Sequence, residues 1–126
     1  MAGKIVADTL EHSTAGSIAT NYVVEGSAKA WINFNGTGTV TIRDSLNVSA
    51  LNDSGTGNYY YNPTNNLSSA NYTRLVSAGS SGVRRVADTG AAASNTASAV
   101  IVITEDLAGS LADVDDANGQ VYGDLA

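Results

Sequence analysis

His12, the acidic run DVDDANG at 113–119 and the Gly-Thr-Gly tips at 36–38 and 55–57 are where the residue types and spacing of this sequence could do chemistry. His12 is the only histidine and there is no cysteine. A zinc centre takes three or four imidazole, thiolate or carboxylate ligands, so His12 does not organise one alone. Ser13 or Ser17 could be named beside His12 as a nucleophile, but the triad would still need a carboxylate brought in from elsewhere. DVDDANG offers oxygen ligands at Asp113, Asp115, Asp116 and Asn118. A calcium loop, however, needs oxygen donors at its first, third and fifth positions, glycine at the sixth and glutamate at the twelfth. Here Ala117 is fifth, Gly119 is one residue late and Asp124 is twelfth, a pattern that reads as a solvated turn. Neither Gly-Thr-Gly tip is followed by the Lys-Ser/Thr of a phosphate loop. A paired-carboxylate site is defined by two acids flanking a cleft with separated pKa values, neither of which a sequence carries, and Glu25, Asp44 and Glu105 read as solvated charges. The expectation is a noncatalytic protein without cofactor or metal.

The aromatic residues offer contact chemistry instead. In WINFNGTGTVTI, from Trp31 to Ile42, side chains alternate with a period of two, so Ile32 and Phe34 share one face while Lys29, Trp31 and Asn33 share the other. Trp31 is the only tryptophan, and it points away from the apolar stripe. It could pack under a loop or the N-terminal segment, form a subunit interface, or serve as a platform for a sugar; aromatic rings remove much area from water at small rotamer cost. Tyr59, Tyr60 and Tyr61 must alternate as well, with Tyr60 opposite the other two. Cross-strand packing, glycan stacking and oligomer contact are the roles open to them.

Elements that would position these groups are short. Ala, Gly, Ser, Thr, Asn and Asp dominate, and straight-chain helix formers are few, which favours strands and turns. Strands are expected near 28–34, 39–43, 45–51, 58–62, 71–78, 97–104 and 119–125, with Asn or Asp beside Gly at the turns. Pro63 should end a strand or lie on a sheet edge. A short strand around Val83 to Val86 is possible, and 105–118 reads as a loop or one helical turn. Residues 1–27 are expected to form an extended arm or a pair of short strands. The fold class is therefore all-β, a compact antiparallel sandwich or barrel-like module at 28–126 with an N-terminal arm; an α+β fold with helices in 87–114 is the alternative.

The 126 residues suit one domain. Six basic against twelve acidic residues give a net charge of −6, and the bases are scattered apart from Arg84-Arg85. That balance argues against nucleic acid and against an anionic bilayer. No apolar run approaches a membrane span, and no secretory signal is read at the N-terminus.

The run KAWINFNGTGTVTIRDSLNVSALNDSGTGNYYYN, residues 29–62, resembles a domain that recurs in tail-fibre and other virion structural proteins of tailed bacteriophages, marine ones especially. Lys29, Ala30, Trp31, Asn33, Phe34, Asn35, Gly36, Thr37, Gly38 and Thr39 match the opening of that pattern. Arg43, Ser45, Asn47, Val48 and Ser49 match its next strand, and Asp53, Gly55, Thr56, Gly57 and Tyr59 its second turn and aromatic strand. Two positions depart from it: Pro63 follows Asn62 where phenylalanine is usual, and Arg74 stands where a small or apolar residue is common. The resemblance implies a virion structural or attachment role, commonly in homotrimers that contact other virion proteins, and it supplies no catalytic residues. On that reading the chain would be a short fibre, a knob or a head or tail decoration, assembled in the bacterial cytoplasm and attached through residues 1–27. A host-surface glycan-binding domain of a receptor-binding fibre is the second reading.

Overall fold

A computed structural model describes residues 3–80, 82, 85–88 and 95–126. Among the described residues the chain from Ala30 onward is all-β. Two four-stranded antiparallel sheets pack face to face as a sandwich. In chain order the elements are β1 (Thr9–His12), β2 (Gly16–Ala19), α1 (Thr20–Gly26), β3 (Ala30–Asn35), β4 (Thr41–Leu46), β5 (Val48–Asp53), β6 (Asn58–Pro63), β7 (Thr73–Gly79), β8 (Val86–Asp88), β9 (Val100–Glu105) and β10 (Asp116–Tyr122). One sheet runs β4-β3-β10-β7 and the other β5-β6-β9-β8, and β1 and β2 pair only with each other.

Strict alternation builds the core. Every second residue of β3, β6, β9 and β10 is buried, and the facing stripes from the two sheets meet. Ile32, Phe34, Ala117 and Val121 come from one sheet, and Tyr59, Tyr61, Val100 and Val102 from the other. Phe34 and Tyr59 meet edge to face across the sandwich, with ring centroids 5.1 Å apart. Each such fully buried side chain contributes about 1.5–3 kcal/mol relative to exposure. Among the described residues no helix lies in 87–114, where the α+β alternative would need one.

Between β4 and β5 the chain passes from one sheet to the other through a single residue. β4 ends at Leu46, β5 begins at Val48, and Asn47 between them adopts φ 55°. Asparagine tolerates this left-handed conformation because its short amide can bond locally. Its Nδ2 donates to Lys29 O (2.9 Å), its Oδ1 accepts from Asn65 N (2.8 Å), and Thr64 N donates to Asn47 O (3.1 Å). The corner is thereby tied to both neighbouring segments. Pro63 ends β6 opposite Val48, as its missing N–H requires.

Four features depart from the sequence expectation. The strand expected at 45–51 is divided at Asn47, with Ser45 and Leu46 ending β4 in one sheet and Val48 opening β5 in the other. The arm carries the expected pair of strands, but the chain then forms the seven-residue helix α1 instead of continuing extended. A helix this short is marginal by itself. It is held by Thr20, whose Oγ1 donates to Ala7 O (2.7 Å), and by the Lys29 ammonium, which donates to Val24 O and Ser27 O at its C-terminal end. β10 starts at Asp116, three residues before the expected 119, because its polar residues Asp116 and Asn118 lie on the outer face of the sheet and carry no apolar signal. The short strand β8 covers 86–88, and Val83, at the start of the strand expected there, lies outside the described residues.

Candidate functional site

Trp31 stands on the outer face of the β4-β3-β10-β7 sheet, half-buried, between fully buried Ala30 and Ile32. Its cross-strand partners are Leu46 on β4 and Gln120 on β10, and Gln120 in turn faces Leu75 on β7. Leu46 reaches this face through a bulge. Asn33 pairs with Asp44 and Phe34 with Ile42, so Arg43 is the extra residue and the alternation of β4 reverses after it. Without that insertion Leu46 would share the inward side of Ile42. Trp31, Leu75, Gln120, Asn118, Ser77 and Gly119 border a groove of about 260 Å³ over β10. Its residues come from β3, β7 and β10 and include none from the arm.

Beside the groove runs a polar row. Asn33 Nδ2 donates to Asp116 Oδ1 and to Asn118 Oδ1, both at 2.7 Å, and Arg43 Nη1 donates to Asp116 Oδ1 at 3.1 Å. Arg43 also donates to Asp115 O. The Arg43–Asp116 pair is about half exposed, so it is worth no more than about 1 kcal/mol. The Asp116 carboxylate is thus committed to this face of the sheet, whereas Asp115 takes part only through its backbone carbonyl.

Asp113 does a different job. Its Oδ1 accepts from Gly57 N and from the Tyr59 hydroxyl, each at 2.8 Å. The Tyr59 oxygen is also the donor to Gly36 O at 2.8 Å, one proton serving two acceptors, and Gly36 N donates to Val114 O. Both Gly-Thr-Gly tips and the acidic run therefore converge on one buried phenol. Glycine is required at both contacts: a Cβ on Gly36 would lie 2.6 Å from the Tyr59 oxygen, and one on Gly57 would lie 2.3 Å from Thr104 O. Burial, reinforced by the Asp113 carboxylate, pushes the Tyr59 phenol well above its ordinary value, and burial does the same for Tyr61. Among the described residues no three His, Asp or Glu side chains gather in a way that could hold a metal ion.

The tyrosine triplet divides as alternation demands. Tyr59 and Tyr61 are wholly buried in the sandwich, where they serve the core and present no surface to a ligand or a partner. Tyr60 is half-buried on the opposite face. His12 lies in the β1–β2 hairpin, where its Nδ1 accepts from Ala15 N at 3.1 Å and closes the turn. Arg74 points inward from β7, and its Nη1 donates to Asn95 Oδ1 (2.8 Å) and Ile101 O (3.3 Å), linking the two sheets.

Leu75, Gln120 and Leu46 were not singled out by sequence reasoning. The period of β7 and β10 carries a signal for Leu75 and Gln120, since each alternates with an inward residue; the bulge that delivers Leu46 carries none. The arm is the other surface of note. Ile5, Val6, Leu10, Ile18, Tyr22, Val23 and Val24 are seven of the fourteen exposed large apolar side chains among the described residues, and α1 buries none of its residues. Compared with known proteins, the chain matches no family model, no curated protein and no solved structure.

Proposed function

We propose that this chain is a noncatalytic structural subunit of a tailed-bacteriophage virion, a homotrimeric short fibre, knob or decoration joined to its neighbours through residues 1–27. The observation that carries the reading is the concentration of exposed apolar groups on the arm. Ile5 and Val6 are 91% and 81% exposed, while the sandwich has a closed core of its own. Apolar surface of this kind is stabilised when another chain covers it. The resemblance of residues 29–62 to virion proteins supplies the setting, and the sandwich is the part displayed. The test is incorporation into particles. Val6→Asp and Val24→Asp chains should fold with the wild-type strand spectrum yet be missing from purified virions. Full incorporation of both variants would contradict the arm's role, and absence of the wild-type chain from virions would contradict the virion reading itself.

A further inference from the structure

The groove over β10 has the chemistry of a site for one ring of a neutral sugar, and we propose that it binds a neutral hexose or N-acetylhexosamine unit of a glycan. The inference stands on the groove itself and not on the virion reading. Its walls are Trp31 on β3 and Leu75 on β7, separated by the width of β10, about 10 Å from twice the strand spacing. A pyranose ring is matched to such a slot: its axial C–H face is apolar and packs on an indole, while its hydroxyls project from the ring edge. The floor supplies partners for those hydroxyls. The Trp31 indole N–H and the Gln120 side-chain NH₂ make no hydrogen bond to any described residue, and the Gln120 carbonyl accepts only from Tyr122 at 3.2 Å. Ser77 adds a hydroxyl, and Asn118 an amide already held by Asn33 through its Oδ1 and by Asp116 through its Nδ2 at 3.5 Å.

Charge and size narrow the ligand. Every residue bordering the groove is uncharged in a chain of net charge −6, and the one guanidinium in the polar row beside it, that of Arg43, is already paired with Asp116, which disfavours a phosphate, a sulfate or a carboxylate. Its 260 Å³ lies below the roughly 300–1,000 Å³ of sites that enclose larger ligands, which suits a single ring with the rest of the glycan in solvent. Gly119 gives the floor its shape. A Cβ there would lie 3.1 Å from the Tyr61 ring and 3.2 Å from Val102, so β10 lies tight against the core beneath the groove.

Trp31 is the only tryptophan, so its emission reports on this groove alone. The full chain should be titrated with methyl glucosides, methyl galactosides, N-acetylglucosamine and their short neutral oligomers, following emission together with saturation-transfer NMR of the sugar. The expected result is a saturable blue shift with at least one sugar, at millimolar concentration for a single ring. Gln120→Ala should weaken that binding at least fivefold, and Trp31→Ala should abolish the NMR transfer, both with an unchanged strand spectrum. No saturable response across the panel would overturn the proposal, as would transfer that survives in Trp31→Ala. A blue shift that grows with protein concentration in the absence of sugar would also overturn it, because a second copy of the chain would then occupy the groove.

Discussion

The sandwich and the arm are built from similar residues and treat them in opposite ways. In β3 and β6 every second side chain is withdrawn from water, and each has partners in the facing sheet. In β1, β2 and α1 side chains of the same kind, Leu10, Ile18 and Val24 among them, stay exposed although the backbone is regular. A hairpin with no second layer has nothing to cover its apolar groups, and a two-stranded unit is marginal in water. Regular hydrogen bonding therefore does not by itself make a region self-sufficient. The sandwich is stabilised within one chain, whereas under the function proposed above the arm would gain its stability from what it joins.

Cutting an aromatic ring from each region should have very different costs. Phe34→Ala should cost about 3–5 kcal/mol of unfolding free energy, while Tyr22→Ala in α1 should stay within about 0.5 kcal/mol; denaturant titration reads both. Equal costs would mean that the arm is part of the folding unit.

Glycines in the two regions should differ as well. Gly57 has φ 63° and Gly16 has φ 96°, so alanine is strained at either. Only at Gly57 would the new methyl also strike backbone, so Gly57→Ala should cost about 3 kcal/mol or more. Gly16→Ala, with open space around it, should leave the cooperative melt of the sandwich where it was.

A smaller effect is expected from Tyr59→Phe, about 1–3 kcal/mol, because Asp113 and Gly36 O lose their common donor. Alkaline pH probes the same phenol. Tyr59, Tyr61 and Tyr72 all titrate higher in the folded chain than the ordinary value of 10.0, chiefly through burial. The unfolded chain therefore releases these protons first. Their contribution is fully present below about pH 10 and is lost as pH rises through the folded values. Thermal melts between pH 8 and 11 should show Tm falling only above about 10, and Tyr59→Phe should flatten that fall. Arg43→Ala should cost less than Tyr59→Phe, within about 1 kcal/mol for an exposed pair.

Much of the sandwich was legible because its code is local. Alternation in Ala30–Asn35 names the inward residues, alternation at 59–61 separates Tyr60 from its two neighbours, the apolar run at 97–104 marks a strand, and Pro63 names the end of one. What was not legible depends on partners distant in sequence. Arg43 becomes a bulge only through its pairing with β3, and that alone moves Leu46 beside Trp31. Asp113 looked like part of an acidic turn until Tyr59 and Gly57 arrived from another strand. α1 was missed because Val23 and Val24 favour strands, and its hold comes from Thr20 and Lys29 at its ends. For the candidate site, the Trp31 side of the groove was visible from one strand, while Leu75 and Gln120 needed the sheet order.

Deleting residues 2–25 tests most directly the claim that the sandwich folds alone and the arm assembles. Sedimentation and thermal melting should be measured on the truncated and full chains side by side. The full chain is expected to sediment as a trimer, while the truncated chain sediments as a monomer and keeps the strand spectrum and a cooperative melt. A truncated chain that loses cooperative unfolding, or that remains a trimer across a dilution series, would contradict that claim.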